Sequence, residues 1–236
     1  MSTEILKNLC GVVMTEPGLY FPAEVCYDNR RMKIRVRIQT ERGNRMNDSF
    51  FALISRMKYI DRWALMRNTD TENIQEHSHQ VAVLAHGLAV IENRYFGGQL
   101  DTGQVALAAI YHDAAEIITG DMPTPIKYYN NQLRDAYKDV EHMAEQKLLS
   151  MLPEEMRPDY ADLFESPDPD IRRIVKAADK LSAYIKCIEE LKAGNAEFRK
   201  AGDQTREALE AMSFPALDYF MEHFLPAFAL SLDELE

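Results

Sequence analysis

From Asn47 to the C-terminus the apolar residues recur at helical spacing throughout, and this pattern limits the chain to a helical bundle. Residues i, i+4, i+7 and i+11 of a helix share one face. In EHSHQVAVLAHGLAVI that rule puts His77 on the stripe of Val81, Leu84, Leu88 and Ile91. His86 lies about half a turn round and points away, and His79 also falls off the stripe. In ALAAIYHDAAEIITGDMPTP a helix over Thr102 to Thr119 aligns Val105, Ala109, His112 and Glu116, with Asp113 one step round from His112. In DPDIRRIVKAADKLSAYIKCIEEL, Asp179 follows Val175 by four and borders the stripe Ile174, Ala178, Leu181 and Ile185. Further helices are predicted behind Asn73, where Glu76 completes a capping box, and over Asn131 to Met151, Pro169 to Ala193 and Thr205 to Leu225. Phe50, Phe51, Ile54, Met57 and Ile60 also keep helical spacing, up to the polar loop DRW.

Ionisable groups on core faces cost several kcal/mol unless each polar atom is partnered. Taken singly, each group is better explained as a hydrogen-bonded core residue, a histidine donating to a carbonyl or an aspartate capping a neighbouring helix. Four together, His77, His112, Asp113 and Asp179, in the order H…HD…D on consecutive core helices, are not. Two imidazoles and two carboxylates suit a divalent metal of borderline or hard character. A cation there would offset the desolvation.

The 236 residues, 46% hydrophobic and 28% charged, can bury a proper core and stay in solution. Three scattered cysteines make neither a disulfide framework nor a CxxC metal site, which suits a cytoplasmic protein. No apolar run is long enough to span a membrane, and no signal peptide opens the chain. A net charge of −11 argues against a nucleic-acid polymer as partner. A small anion can still bind where cations are local.

Residues 1–47 differ from the rest. The first 45 carry +3, leaving −14 elsewhere. MKIRVRI alternates apolar and basic residues as a half-exposed strand does, and Pro17, Gly18, Pro22 and Asp28-Asn29 allow at most a small β-hairpin. The basic residues are read as a solvated strand face in preference to a nucleic-acid or membrane arm. A further reading starts the natural protein at Met46. The expected organisation is an extension over 1–47 and one all-α domain over 48–236.

The order H…HD…D resembles the HD-domain phosphohydrolase superfamily. Within it, the chain from about Asp48 onward is similar to the YfbR-like 5'-deoxynucleotidases, on the segments ISRMKYIDRWALMRNTDTENIQEHS, YHDAAEIITGDMPTPIKYY, VKAADKLSAYIKCIEEL and DYFMEHFLPAFALSLDEL. The resemblance implies an HD-domain helical bundle that hydrolyses deoxynucleoside 5'-monophosphates with one divalent metal cation (Co, Mn, Mg, Zn or similar). It implies His77, His112, Asp113 and Asp179 as metal ligands, Arg62 and Trp63 as phosphate and sugar contacts, and Glu116 and Asp121 as further active-site acids. It also suggests a homodimer. On residues 1–47 it is silent.

The residue chemistry is consistent with that expectation. Glu116, one helical turn after His112, can orient a water or accept its proton, and Asp121 follows the helix end at Gly120. Spacing leaves open which acid does which job. Arg62 can grip phosphate through two parallel hydrogen bonds, and Lys127 is a second candidate. Trp63, the sole tryptophan, can pack on the sugar and leave no room for a 2'-hydroxyl. Only His142 lies between the HD pair and Asp179, which disfavours a dinuclear HD enzyme. Two other functions remain on the same fold: a deoxynucleoside triphosphate hydrolase and a nucleotide-binding regulatory module.

Overall fold

Asn73 sets where the first long helix begins. Its side-chain oxygen accepts from the backbone N–H groups of Gln75 (3.0 Å) and Glu76 (3.1 Å), and the Glu76 carboxylate accepts from Asn73 N–H (3.3 Å). Three of the four N–H groups a helix start leaves open are thereby satisfied. Side-chain caps, without the reciprocal carboxylate, recur at Asp101, Asn130 and Asp168, each of which caps the helix that follows it.

The structure is a computed structural model that describes residues 49–127, 129–164 and 168–235, with the backbone alone of 23–28, 31–36 and 124–125. The chain divides into two units, Met1–Arg45 and Met46–Glu236. In the first unit the backbone of β1 (Ala23–Asp28) is antiparallel to that of β2 (Arg31–Val36). The basic side-chain face expected over 32–38 lies outside the described residues.

The second unit contains, among the described residues, α1 (Phe50–Ile54), α2 (Ile74–Tyr95), α3 (Thr102–Tyr111), α4 (Glu116–Thr119) and α5 (Thr124–Lys127). It continues with α6 (Asn131–Leu149), α7 (Arg157–Phe164), α8 (Pro169–Lys192), α9 (Arg199–Met212) and α10 (Pro215–His223). The all-α expectation holds for this unit, and short 3₁₀ turns join several helices.

Helical phase predicted the core well. Val81, Leu84, Leu88 and Ile91 of α2 pack with Ile174, Ala178, Leu181 and Ile185 of α8 in one cluster, closed by Leu209, Leu217 and Phe220. A second, smaller cluster joins Phe50, Ala114, Leu148, Leu149 and Leu152. His112 and Asp113 fall between Ala109 of the first cluster and Ala114 of the second.

Three expected helices differ. The Thr102–Thr119 helix is interrupted: α3 stops at Tyr111, residues 112–115 form a turn, and α4 resumes at Glu116. Within the turn the bonds are i→i+3, with Ala114 N–H donating to Tyr111 O (3.0 Å) and Glu116 N–H to Asp113 O (3.0 Å). Such tightening eclipses residues three apart, so Glu116 aligns with Asp113 rather than with His112. The Thr205–Leu225 helix is also two. Pro215 disfavours helical geometry in the residue before it, and Phe214 is extended (φ −149°, ψ 158°) between α9 and α10. At the front, α1 tightens into 3₁₀ geometry over Ser55–Tyr59, which leaves Phe51 exposed while Phe50 and Met57 are buried.

The second cluster underlies the HD turn, so trimming it tests the fold directly. Leu148 is fully buried. Leu148→Ala is expected to lower the unfolding free energy by about 2–5 kcal/mol, read from urea denaturation of the metal-loaded protein; a loss under about 0.5 kcal/mol would contradict the packing described.

Candidate active site

One wall of the site is the loop between the 3₁₀ turn and α2. Its base is closed by Arg62 N–H donating to Glu72 O (2.8 Å) and Ile74 N–H donating to Ile60 O (2.9 Å). Inside the loop, Trp63 has φ +58°, a conformation that is an outlier for a bulky side chain. It is held from several sides. Its carbonyl accepts from Met66 N–H (2.8 Å), its indole Nε1–H donates to Glu72 Oε2 (3.0 Å), and its own N–H donates to Asp121. Glu72 Oε2 also lies 3.2 Å from Arg62 Nε, so one carboxylate aims both Arg62 and Trp63.

Three helical elements supply the centre. His77, fully buried on α2, has Nε2 at 3.4 Å from Asp113 Oδ2 and 3.3 Å from Asp179 Oδ1. His112 Nε2 lies 3.2 Å from the same Asp113 oxygen, and Arg62 Nη1 is 3.6 Å from it. One donor atom each from His77, His112 and Asp179 lie within 4.8 Å of one another, a grouping that could hold a metal ion.

The other ring nitrogens fix the tautomers. His112 Nδ1 sits 2.7 Å from Ala109 O, which can only accept, so Nδ1 carries the proton. His77 Nδ1 sits 3.0 Å from Ser182 Oγ, whose single hydrogen is donated to Gln80 Oε1 (2.6 Å). Ser182 must therefore accept from His77 Nδ1–H. Both rings then turn an Nε2 lone pair toward carboxylate oxygens, and both Nε2 atoms are buried without a hydrogen-bond partner. Lone pairs facing lone pairs in a desolvated site repel unless a cation sits among them. This is the arrangement in which metal-binding imidazoles are held by a partner on the second nitrogen.

The pKa values follow the same logic, with a proton as the smallest available cation. Burial lowers the His112 pKa, but the Asp113 carboxylate outweighs it and leaves it raised. Burial pushes Asp113 and Asp179 upward, yet His112 acting on the first and His77 on both hold them below the usual carboxylate range. Arg62 is raised because Asp113, Glu72 and Asp179 together exceed its own desolvation.

Two further acids border the centre. Glu116 is buried with Oε2 unpartnered, and burial together with the charges of Asp113 and Asp121 pushes its pKa up to about 9. Asp121 is raised by burial against the pull of Arg62. Gly120, at φ +74° and ψ 160°, a conformation that suits glycine alone, ends α4 and leads into Asp121. Lys127 is turned to α6, where its Nζ is 2.7 Å from Glu141 Oε1 and lies over the Tyr137 ring. A cleft of about 240 Å³ opens on His112 and Asp179 and is lined also by Phe164, Val175, Arg172 and Lys176.

The residues named from sequence thus converge; Lys127 lies at the margin, where its charge reaches Glu116 while its ammonium group is hydrogen-bonded to Glu141. His79 and His86 are exposed, as their phase required. Sequence reading missed Glu72, Ser182 and Gln80. Ser182 was within reach, because it lies three residues after Asp179 on the same helix; Glu72 sits in an aperiodic loop and gave no such signal.

This fold is the one seen in HD-domain phosphohydrolases. The structure is similar to an HD-domain phosphohydrolase of Listeria innocua, with a TM-score of 0.68, 22% identity, and coverage of 78% of this chain and 90% of that one. It is also similar to the HD phosphohydrolase of cyanophage S-2L, solved with dA and one catalytic Zn²⁺ ion, with a TM-score of 0.54, 22% identity and coverage of 75% and 95%. The match to the YfbR-like 5'-deoxynucleotidase model spans residues 49–228, and the chain belongs to that family. Its relatives include a 5'-deoxynucleotidase of Pectobacterium atrosepticum, 55% identical over 80% of this chain and 97% of the relative. The 5'-deoxynucleotidase YfbR of Escherichia coli (strain K12) is 52% identical over 79% and 94%.

A cation that relieves this repulsion must stabilise the folded state. At a free concentration one hundred times its Kd, a divalent metal is expected to raise the unfolding free energy of chelator-treated protein by about 2.7 kcal/mol. The gain should vanish in Asp113→Ala and persist in His86→Ala. Equal gains in the two variants would contradict the site.

Proposed function

We propose that the chain is a divalent-metal-dependent phosphohydrolase that converts deoxynucleoside 5'-monophosphates to deoxynucleosides and inorganic phosphate. The observation that carries this reading is the pair of buried, unpartnered Nε2 atoms facing Asp113 and Asp179, with Arg62 beside them. Family membership and relatives above 50% identity that are named 5'-deoxynucleotidases supply the substrate class. In this reading residues 48–236 are the catalytic domain, and 1–47 form an extension with no assigned role.

His77, His112, Asp113 and Asp179 would hold the metal. The chemistry it would supply there is polarisation of a phosphoryl oxygen and a lowered pKa for water. Arg62, already oriented by Glu72, presents its guanidinium to the remaining phosphate oxygens. Hydrolysis forms a bond from the water oxygen to phosphorus, breaks the bond from phosphorus to the 5'-oxygen, and delivers a proton to that oxygen. Glu116 and Asp121 handle the protons. Burial, and then the charges of Asp113 and Asp121, raise Glu116, so the two acids need not ionise together, and one acid and one base can coexist near neutral pH. Trp63 packs against the deoxyribose where a 2'-hydroxyl would otherwise fit.

A homodimer in the cytoplasm completes the reading. On α2, His79, Val83, Gly87 and Val90 share a face by spacing, half-buried at Gly87 and exposed at the other three, and a Cβ at Gly87 would meet nothing within 4 Å. A mid-helix glycine costs about 1 kcal/mol, and close approach of a second copy would account for it. Among the described residues no helix is long and apolar enough to cross a membrane, and Cys187 is a free, buried thiol. A triphosphate substrate is the second reading, favoured by Arg172 and Lys176 along the cleft beside His112 and Asp179.

Product analysis on a panel of mono- and triphosphates, with and without chelator, separates the readings. Metal-dependent phosphate release from deoxynucleoside monophosphates supports the first, and pyrophosphate or triphosphate release the second. Binding without turnover would point to a regulatory module. Glu116→Gln is expected to lower kcat by about 10²–10⁴-fold with metal binding retained. Trp63→Ala should relax the preference for deoxy over ribo substrates, and an unchanged ratio would remove its assigned role.

A further inference from the structure

Four polar residues, Asp179, Ser182, Lys186 and Glu190, run along α8 at steps of three and four and so share one face, beside the helix's apolar stripe. The first lies at the metal-binding centre and the second orients His77. The last two lie one and two turns beyond Ser182, where no substrate group has been placed. Lys186 is 6% exposed and Glu190 2%. A buried ion pair is a poor source of stability, since apolar residues of similar volume often do as well or better. Their partners suggest another use.

Those partners all belong to the loop of Trp63 or to its support. The Glu190 carboxylate accepts from the backbone N–H groups of Thr69 (2.9 Å) and Asp70 (3.2 Å), from Asn195 Nδ2 (2.8 Å) and from Lys186 Nζ (2.6 Å). With four donors gathered on it, its pKa falls to about 2 despite burial, so it is fully charged at neutral pH. Lys186 also donates to Asp70 O, and Asn195 Nδ2 donates to Arg67 O (2.7 Å). Phe198 stands against the Trp63 ring at 5.3 Å between centroids, and Lys186 Nζ lies 5.9 Å from the same Phe198 ring centre. A residue held at positive φ persists only where its surroundings over-determine it. For Trp63 those surroundings include residues 67–70, fastened to α8.

We propose that the buried Lys186–Glu190 pair is a positioning element that sets the sugar selectivity of the site by fixing the Trp63 loop to the helix that carries Asp179. The proposal rests on the reading of the chain as a 5'-deoxynucleotidase. Neither residue touches substrate; both act through the loop. Because α8 also supplies Asp179, the sugar wall and the metal centre share one rigid element.

Trp63 is the only tryptophan, so its fluorescence reports the loop alone. Two variants of the full chain are compared with the wild type, each loaded with the metal that supports its activity. Glu190→Ala removes the tethers, and the double variant Lys186→Met, Glu190→Leu removes them without leaving a buried charge unpaired. In whichever folds by circular dichroism, Trp63 emission is expected to shift to the red and quench more readily with acrylamide. The deoxy-to-ribo ratio of kcat/KM should fall by at least about tenfold, with one metal still bound per chain. Wild-type emission and wild-type selectivity together with a lowered Tm would make the pair a scaffold element only and overturn the proposal. Should the wild type hydrolyse neither sugar class, the activity reading fails and takes the selectivity claim with it. The emission arm still judges whether the pair fixes the loop.

Discussion

Two imidazole lone pairs aimed at two carboxylates inside a helical core repel one another, and the rest of the second unit is arranged around that repulsion. His77 and His112 are locked in this orientation by Ser182 and by the Ala109 carbonyl. Their unpartnered Nε2 atoms would be costly in any resting core. The cost becomes useful once a dication enters, because every group is already in position and none has to reorganise. Raised His112 and depressed Asp113 and Asp179 are the same fact seen through protonation.

Two departures from regular backbone geometry make the site possible. The i→i+3 turn over 112–115 lets adjacent residues serve a common centre, with His112 Nε2 3.2 Å from Asp113 Oδ2, and brings Glu116 round to Asp113. The left-handed backbone of Trp63 lets Arg62 and Trp63 be governed by one carboxylate, Glu72. Each departure is held by packing or tethers on its far side: Ala114 in the smaller core cluster for the first, the Glu190 network for the second. Strain at the chemistry is thus secured by parts of the molecule that do none of it.

Much of this was legible in the residues, for a physical reason. Helical phase depends only on 3.6 residues per turn, so it separated inward His77 from outward His79 and His86 and placed Asp179 beside the α8 stripe. Phase assumes that a helix continues, and there it failed. It paired Glu116 with His112 because it could not foresee the tight turn between α3 and α4, and it joined α9 to α10 although Pro215 marked the break. Side chains that act across the fold from aperiodic segments, Glu72 above all, leave no spacing to read. The Lys186–Glu190 pair was visible only as an i, i+4 ion pair, which on most helices is a surface ornament; its burial and its hold on residues 69 and 70 belong to tertiary structure.

The central claim is that one divalent cation sits between the two imidazoles. Crystals of the protein soaked in Mn²⁺ or Zn²⁺ and measured at the metal's absorption edge test it most directly. One anomalous peak per chain is expected, about 2.0–2.2 Å from Nε2 of both His77 and His112 and bound by Asp113 and Asp179. No peak there, two peaks, or a single peak bound through the Nδ1 atoms would contradict the account.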